Sequence, residues 1–301
     1  MAGPATRRGE RLLAWGLLLP CLAAVCAFAF WPIVYSFVLS LHRIVLSLPG
    51  LGEPFVGLEN YVQLLGEPTA RASAATTLVF VAVSILLEVG LGTLMALALD
   101  KSFRGRGLVR AAVLVPWAIP TVVASQMWRF ILNDRYGLLN WLVFGDQVGA
   151  YRAWLAEPGW AMTAVIGADV WKTSAFAALI VLAGLQTIPR ELNEAAALDG
   201  AGPWQRFRHL TLPLVLPALA VALVFRTMDA FRVFDLVFVM TQGGPADATN
   251  VLQFYGYKKM FAEGFLGYGS AVSVMVFVMV LAVSLIYLRL VGRRLLRGDA
   301  R

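Results

Sequence analysis

A chain of 301 residues in which 59% are hydrophobic and only 14% are charged departs far from the roughly 25% charged residues of soluble domains. The composition excludes an ordinary soluble domain and places most of the chain in lipid. The net charge of +7 does not point to a nucleic-acid partner, because the basic residues sit in short segments flanking apolar runs and not along one helical face.

Crossing hydrocarbon as a helix takes about 20 apolar residues, and six candidate spans appear in chain order: 12–41, 76–99, 108–132, 160–186, 213–240 and 269–291. The first follows Arg7, Arg8 and Arg11 and so imitates a secretory signal. Its apolar run is far longer than the usual core of about 7–15 residues, which predicts an uncleaved signal-anchor helix. Cys21 and Cys26 lie inside that run without His or further Cys at ligand spacing, so neither a disulfide framework nor a metal site is expected. Pro20 and Pro32, Pro116 and Pro120, and Pro213 and Pro217 fall in the first, third and fifth spans. Proline inside a span frees backbone carbonyls that neighbours or a water-lined cavity must satisfy, so kinks are expected there. Trp31, Trp128, Trp141, Trp154 and Trp160 lie near the predicted outer boundaries, where an indole serves as an interfacial anchor.

Orientation follows from the basic residues. Segments 1–12, 100–110, 187–212 and 289–301 carry 15 of the 25 Lys and Arg, with Lys101, Arg104, Arg106 and Arg110 marking one short loop and Arg293, Arg294 and Arg297 the tail. The positive-inside rule places both termini in the cytoplasm. Six spans keep them on one side.

Within the fifth span Arg226, Asp229, Arg232 and Asp235 recur every three residues. Successive members of such a ladder meet by i,i+3 contacts, and each left unpaired in lipid costs about 2.5–3.5 kcal/mol on insertion scales. Two readings fit: the ladder lines a transport route, or it neutralises itself and holds the helix against the bundle. Glu88, Asp169 and Lys172 are weaker candidates of the same kind, for which packing at a membrane boundary is the simpler expectation. His42 and His209 stand alone, with no catalytic constellation around either.

The most informative stretch is Glu191–Gly202, charged and rich in small residues, set between two apolar runs. Pro189 suits a helix start and Glu191 adds favourable negative charge there, while Gly200 supplies a C-terminal stop. A helix over about 189–199 is too short to span and suits a protein groove, into which Ala195, Ala196 and Ala197 permit close approach. Joined through Gly202-Pro203 and Leu212-Pro213 to the fifth span, it forms a lever.

This loop resembles the cytoplasmic EAA loop of binding-protein-dependent ABC importer permeases, and the matching residues are Glu194, Ala195, Ala196, Asp199, Gly200 and Ala201. The likeness extends to Trp171-Lys172-Thr173, Ala183–Pro189, Phe234-Asp235, Met240-Thr241 and Gly243-Gly244-Pro245, which are similar to segments of the sugar permeases of the maltose, trehalose and glycerol-phosphate type. The resemblance implies an all-α polytopic membrane protein of six transmembrane helices with the type-1 permease fold, in the inner membrane of a bacterial or archaeal cell. Residues 1–71 form an N-terminal segment, first helix and outer loop; 72–292 form the type-1 domain with its coupling loop at 187–212; 293–301 form a basic tail. It further implies carbohydrate import by alternating access, with a disaccharide as leading cargo and glycerol phosphate or a polyol as the alternative. The implied partners are an ABC ATPase dimer, a second homologous permease and an extracytoplasmic substrate-binding protein. The chain has no G-x-x-x-x-G-K-[ST] phosphate loop, so it is expected to be a transport subunit and not an enzyme, binding no cofactor, with ATP and Mg on the partner ATPase. An ion-coupled secondary transporter is the rival class; it leaves the loop unexplained.

Overall fold

The computed structural model describes residues 4–298; residues 1–3 and the last three of the predicted basic tail, 299–301, lie outside it, as do the side chains of Arg7, Arg8, Arg11, Arg293, Arg294 and Arg297. Fourteen α-helices are described: α1 (Pro4–Val25), α2 (Trp31–Ser40), α3 (Glu59–Gly66), α4 (Pro68–Asp100), α5 (Arg106–Ala118), α6 (Thr121–Ile131), α7 (Leu138–Phe144), α8 (Pro158–Leu185), α9 (Arg190–Leu198), α10 (Pro203–Arg206), α11 (Leu212–Ala230), α12 (Asp235–Met240), α13 (Leu252–Tyr257) and α14 (Leu266–Gly298). No strand appears among the described residues, only two isolated bridges, so the chain is all-α.

Among the described residues five helical stretches are long and apolar enough to cross a membrane: Leu13–Ser40, Pro68–Asp100, Pro158–Leu185, Pro203–Ala230 and Leu266–Tyr287. A sixth is counted only if α5 and α6 act together, because they bend by 92° at their junction. The expected continuous third span at 108–132 is therefore corrected to a broken pair. Pro120 explains the break: it biases Ile119 away from helical geometry, and Ile119 sits at φ −70°, ψ 131°.

Pro20, Pro116 and Pro217 lie inside α1, α5 and α11, whereas two other prolines are preceded by a wide turn. Cys26–Phe30 and Phe207–Thr211 are π-helical, with Trp31 N–H bonded to the Cys26 carbonyl and Leu212 N–H to the Phe207 carbonyl. Each π turn ends two residues before a proline, Pro32 and Pro213. Lengthening the hydrogen-bonded ring there accommodates the prolyl ring while the span continues.

Two compact units make up the chain. One comprises the residues up to Glu67 together with Gly256–Met275. In it Asn60 donates to the carbonyls of Ser40 (2.8 Å) and His42 (3.0 Å), fixing the turn after α2 against α3. Gly267 passes so close to this turn that a Cβ at that position meets the His42 carbonyl oxygen at 2.0 Å.

The other unit comprises Pro68–Tyr255 and the chain from Val276 onward. Here α8 packs along α4 and against α11 and α5, and α12 packs against α6. Small residues set the helix crossings, as expected where lipid offers no hydrophobic drive between spans. A Cβ on Gly92 of α4 meets the Ala177 Cβ of α8 at 2.7 Å, and one on Gly184 of α8 meets the Ala218 Cβ of α11 at 2.5 Å. Beside the second crossing, Ala96, Leu99, Val181, Leu182, Leu185, Val215 and Leu219 form a buried cluster.

Two expectations need further correction. The fifth span does not run over 213–240: α11 ends at Ala230, and Asp235 opens the separate helix α12. Trp154 is not an interfacial anchor but is 9% exposed, donating from Nε1 to Asn140 Oδ1 at 2.8 Å, with its ring edge-on to Trp160 and the Arg152 guanidinium over both rings.

Candidate functional site: an exposed helix and a buried ion cluster

α9 projects between α8 and α11 with none of its residues buried. Pro189, at φ −59° and ψ 135°, precedes the helix instead of forming its first turn, so the element is nine residues, about 14 Å, and starts one residue later than expected. Its end is stiffly made. Ala201 N–H donates to the Ala196 carbonyl (2.9 Å) and Gly200 N–H to the Ala197 carbonyl (3.1 Å), the paired bonds of a Schellman stop, with Gly200 in the left-handed region at φ +79°. Asp199 N–H closes on the Ala195 carbonyl at 3.0 Å. Glu194 and Asp199 face solvent, and Leu198 is 89% exposed.

The chain turns at once into α10, where the Gly202 N–H is capped by Gln205 Oε1 at 2.9 Å, and continues through the π turn into α11. Trp204, 68% exposed, stands 5.5 Å from the Phe207 ring. Exposed Leu198 and the carboxylates of α9, with exposed Trp204 on the adjoining α10, form a surface suited to a protein groove.

The second constellation lies inside the helix bundle. Arg226 of α11 is 3% exposed and holds Glu88 of α4, which is 0% exposed, through two bonds, Nε to Oε2 at 2.6 Å and Nη2 to Oε1 at 3.0 Å. Nη2 also reaches Asp169 Oδ2 of α8 at 3.4 Å, and Nη1 donates to Asp229 Oδ2. One guanidinium therefore ties three spans through three carboxylates. The fork geometry of arginine is what permits this.

The ladder is realised only in part. Arg226 and Asp229 pair at i,i+3, but Arg232 lies beyond the end of α11, exposed, donating from Nε to the Met228 carbonyl at 3.2 Å, and Asp235 is exposed at the start of α12. Glu88 and Asp169, expected as boundary packing, are instead the buried partners of Arg226. A buried arginine in an apolar helix requires carboxylates at its depth, and Glu88 and Asp169 interrupt two other spans; that was the available signal.

All four ladder residues border one polar cavity of about 170 Å³, shared with Asp169, Lys172 and Trp117. Lys172 donates from Nζ to the Trp117 carbonyl at 3.2 Å. That carbonyl belongs to the last turn of α5, which has no following helical N–H because the chain breaks at Pro120, so the lysine caps a broken helix. Among the described residues no group of three or more His, Cys, Asp or Glu is arranged to hold a metal ion.

A bundle of apolar helices interrupted by a rigid exposed helix, with charged side chains at its centre, defines a membrane transport subunit. The family profile of the binding-protein-dependent transport system inner membrane component matches residues 88–296, and this chain belongs to that family. It is 43% identical over 284 residues to the trehalose/maltose transport system permease protein MalF of Thermococcus litoralis, covering 94% of this chain and 95% of that one. It is 39% identical over 287 residues to the trehalose transport system permease protein SugA of Mycobacterium tuberculosis (95% and 91%), and 35% over 284 residues to the sulfoquinovosyl glycerol transport system permease protein SmoG of Agrobacterium fabrum (94% and 91%). Its fold matches, with a TM-score of 0.82 over 96% of this chain and 98% of the other, a chain in the crystal structure of a bacterial ABC transporter involved in import of the acidic polysaccharide alginate, at 22% identity. The protein is an ABC importer permease subunit of the type-1 fold.

Proposed function

We propose that this subunit conducts a neutral disaccharide of the trehalose or maltose kind into the cytoplasm by alternating access, driven by ATP that a partner ATPase dimer binds with Mg. The observation that carries the coupling part of the reading is α9, a wholly unburied helix placed between the spans α8 and α11 and continuous with the latter through α10 and the π turn. In this reading Glu194, Ala195, Ala196, Asp199, Gly200 and Ala201 engage the ATPase, both termini are cytoplasmic, and an extracytoplasmic binding protein delivers cargo to the opposite side.

The polar cavity supports a route shared between subunits. At about 170 Å³ it has room for roughly five waters at about 30 Å³ each, well short of the roughly 300 Å³ at which small-molecule pockets begin. A second, homologous permease facing Asp229, Arg232 and Asp235 completes it, and those exposed groups supply hydrogen bonds to sugar hydroxyls. Arg226 is already committed to three carboxylates, and the two cations of this wall that lack a carboxylate partner, Arg232 and Lys172, each donate to a backbone carbonyl; the neutral cargo is supported by the trehalose and maltose permeases this chain is similar to.

The test is uptake of radiolabelled trehalose and maltose by proteoliposomes carrying the co-purified complex. ATP-dependent uptake that Glu194→Ala abolishes is expected. Uptake persisting without any ATPase subunit overturns the coupling reading, and preference for glycerol phosphate overturns the cargo.

A further inference from the structure

At the end of the bundle that carries α9, a second cavity of about 840 Å³ opens between the C-terminus of α4, the start of α5, the end of α8 and the π turn ahead of α11. Five cations line it, Lys101, Arg106, Arg110, Arg190 and Arg206, against a single carboxylate, Asp100. Among the described residues none of the five is paired with a carboxylate. Arg106 and Arg110 spend one N–H each on the last carbonyls of α4, those of Asp100 (3.4 Å) and Leu99 (3.2 Å), which orients both guanidinium groups. The Nε atoms of Arg110 and Arg206 are buried from solvent and have no hydrogen-bond partner. Two unsatisfied guanidinium donors from different helices, the Nε atoms of the half-buried Arg110 and Arg206, in the lining of a cavity with an excess of positive charge, call for an oxyanion.

We propose that this cavity is a binding site for a phosphate-bearing anion, and the lining favours the phosphodiester head group of an anionic phospholipid as its source. Leu97, Leu185 and Ile188 line the same cavity, so the charged wall adjoins an apolar one at the ends of the spans. A glycerophospholipid presents that combination, a charged phosphodiester next to acyl chain; free phosphate uses only the polar half. The site lies beside α9 and α10, since Arg190 opens the first and Arg206 closes the second. Its occupant therefore braces the docking elements against α4 and α8.

The full-length chain, delipidated in mild detergent, is titrated with micelles containing phosphatidylglycerol or phosphatidylcholine, and retained lipid is counted by native mass spectrometry. Each cation near an anionic lipid surface contributes about fivefold, so the Arg110→Gln/Arg206→Gln variant is expected to lose roughly 30-fold of the phosphatidylglycerol preference, while Arg135→Gln on an exposed loop leaves it unchanged. Inorganic phosphate at matched ionic strength identifies the source: failure to displace the lipid supports the lipid head group, and displacement confined to the wild type supports the same site filled by soluble phosphate. Equal retention of both lipids by wild type and double variant, with no phosphate effect, overturns the site. Should the double variant misfold, a photoactivatable phosphatidylglycerol on the wild-type chain decides. Cross-links within 97–110 or 185–211 support the site and labelling only elsewhere refutes it. Retention by the free chain that disappears in the assembled importer also overturns the lipid reading, because the cations then serve a partner's carboxylates.

Discussion

Glu88→Ala removes the bidentate partner of Arg226 and leaves Nε, with one of the two Nη2 bonds, unmade inside the bundle. Breaking a buried ion pair by deleting one member costs about 3–5 kcal/mol, because the remaining charge is stranded. Asp169 at 3.4 Å and Asp229 still face the guanidinium, which sets the expected loss at the lower end, about 3 kcal/mol. Asp229 is the contrast: its side chain is 61% exposed, and Asp229→Asn is expected to cost no more than about 1 kcal/mol. Arg226→Ala strands three carboxylates together, so the Glu88→Ala/Arg226→Ala pair should fall short of the sum of its single losses by about 1–3 kcal/mol. The measurement is unfolding of the full chain in mixed micelles by added denaturing detergent, followed by far-UV circular dichroism. A Glu88→Ala loss below about 0.5 kcal/mol, an Asp229→Asn loss as large as that of Glu88→Ala, or additive single losses would each refute the view that Arg226 clamps the spans through Glu88.

Other substitutions separate folding from coupling. Gly200→Ala places no atom within 4 Å of a neighbour but holds alanine at φ +79°, costing about 1–2 kcal/mol from the backbone alone; Gly200→Asn, better tolerated there, should cost less, and thermal stability of the purified chain orders the two. Glu194→Lys, on an exposed face, is expected to shift stability by no more than about 0.5 kcal/mol while lowering retention of the ATPase subunit in pull-downs at least tenfold; unchanged retention removes Glu194 from the docking surface. Gly92→Val drives a side chain into Ala177 and the Ser174 carbonyl oxygen, 2.7 and 2.9 Å from the Cβ position, and should cost 3 kcal/mol or more, whereas Gly90→Ala, with nothing within 4 Å, should be near neutral. Fluorescence-detected size exclusion of the two variants checks the difference.

What the sequence displayed and what it withheld divide along a physical line. Spans and the exposed helix α9 are written in local signals: apolar runs, a Pro before α9, a Gly after it, and the hydrogen-bonded stop follows from that Gly. Pro120 marked a disturbance, but whether the chain bends gently or through 92° depends on what receives α6, and that is α12, more than a hundred residues later. The pairing across the ion cluster is hidden for the same reason. Arg226 finds Asp229 three residues away, the contact that periodicity reveals, but its buried partners Asp169 and Glu88 are 57 and 138 residues distant. A chain-local view paired Arg232 with Asp235 on a helix that had already ended.

The position of Arg226 has a mechanical consequence. α11 is entered from α10 through the π turn Phe207–Thr211, so any displacement of α9 and α10 reaches it at that turn, ahead of its first residue, Leu212. Fourteen residues later, about 21 Å along the axis, the same helix is bound through Arg226 to α4 and α8. Rotating α11 alone breaks this cluster, at a cost of about 3–5 kcal/mol, and also shears the close contact of Gly184 with Ala218. Moving α4, α8 and α11 together breaks neither. The three spans are therefore expected to move as one body, with displacement taken up at the π turn Phe207–Thr211 and the α5–α6 break, where the helical ladder is already interrupted. Spin labels at Leu86 of α4 and Phe225 of α11, both exposed side chains, measure this directly. Their separation should stay constant within about 2 Å between nucleotide-free and ATP-bound complexes while a label at Leu198 of α9 shifts relative to either. A change between Leu86 and Phe225 as large as that at Leu198 shows that the cluster opens during the cycle and is a gate instead of a clamp.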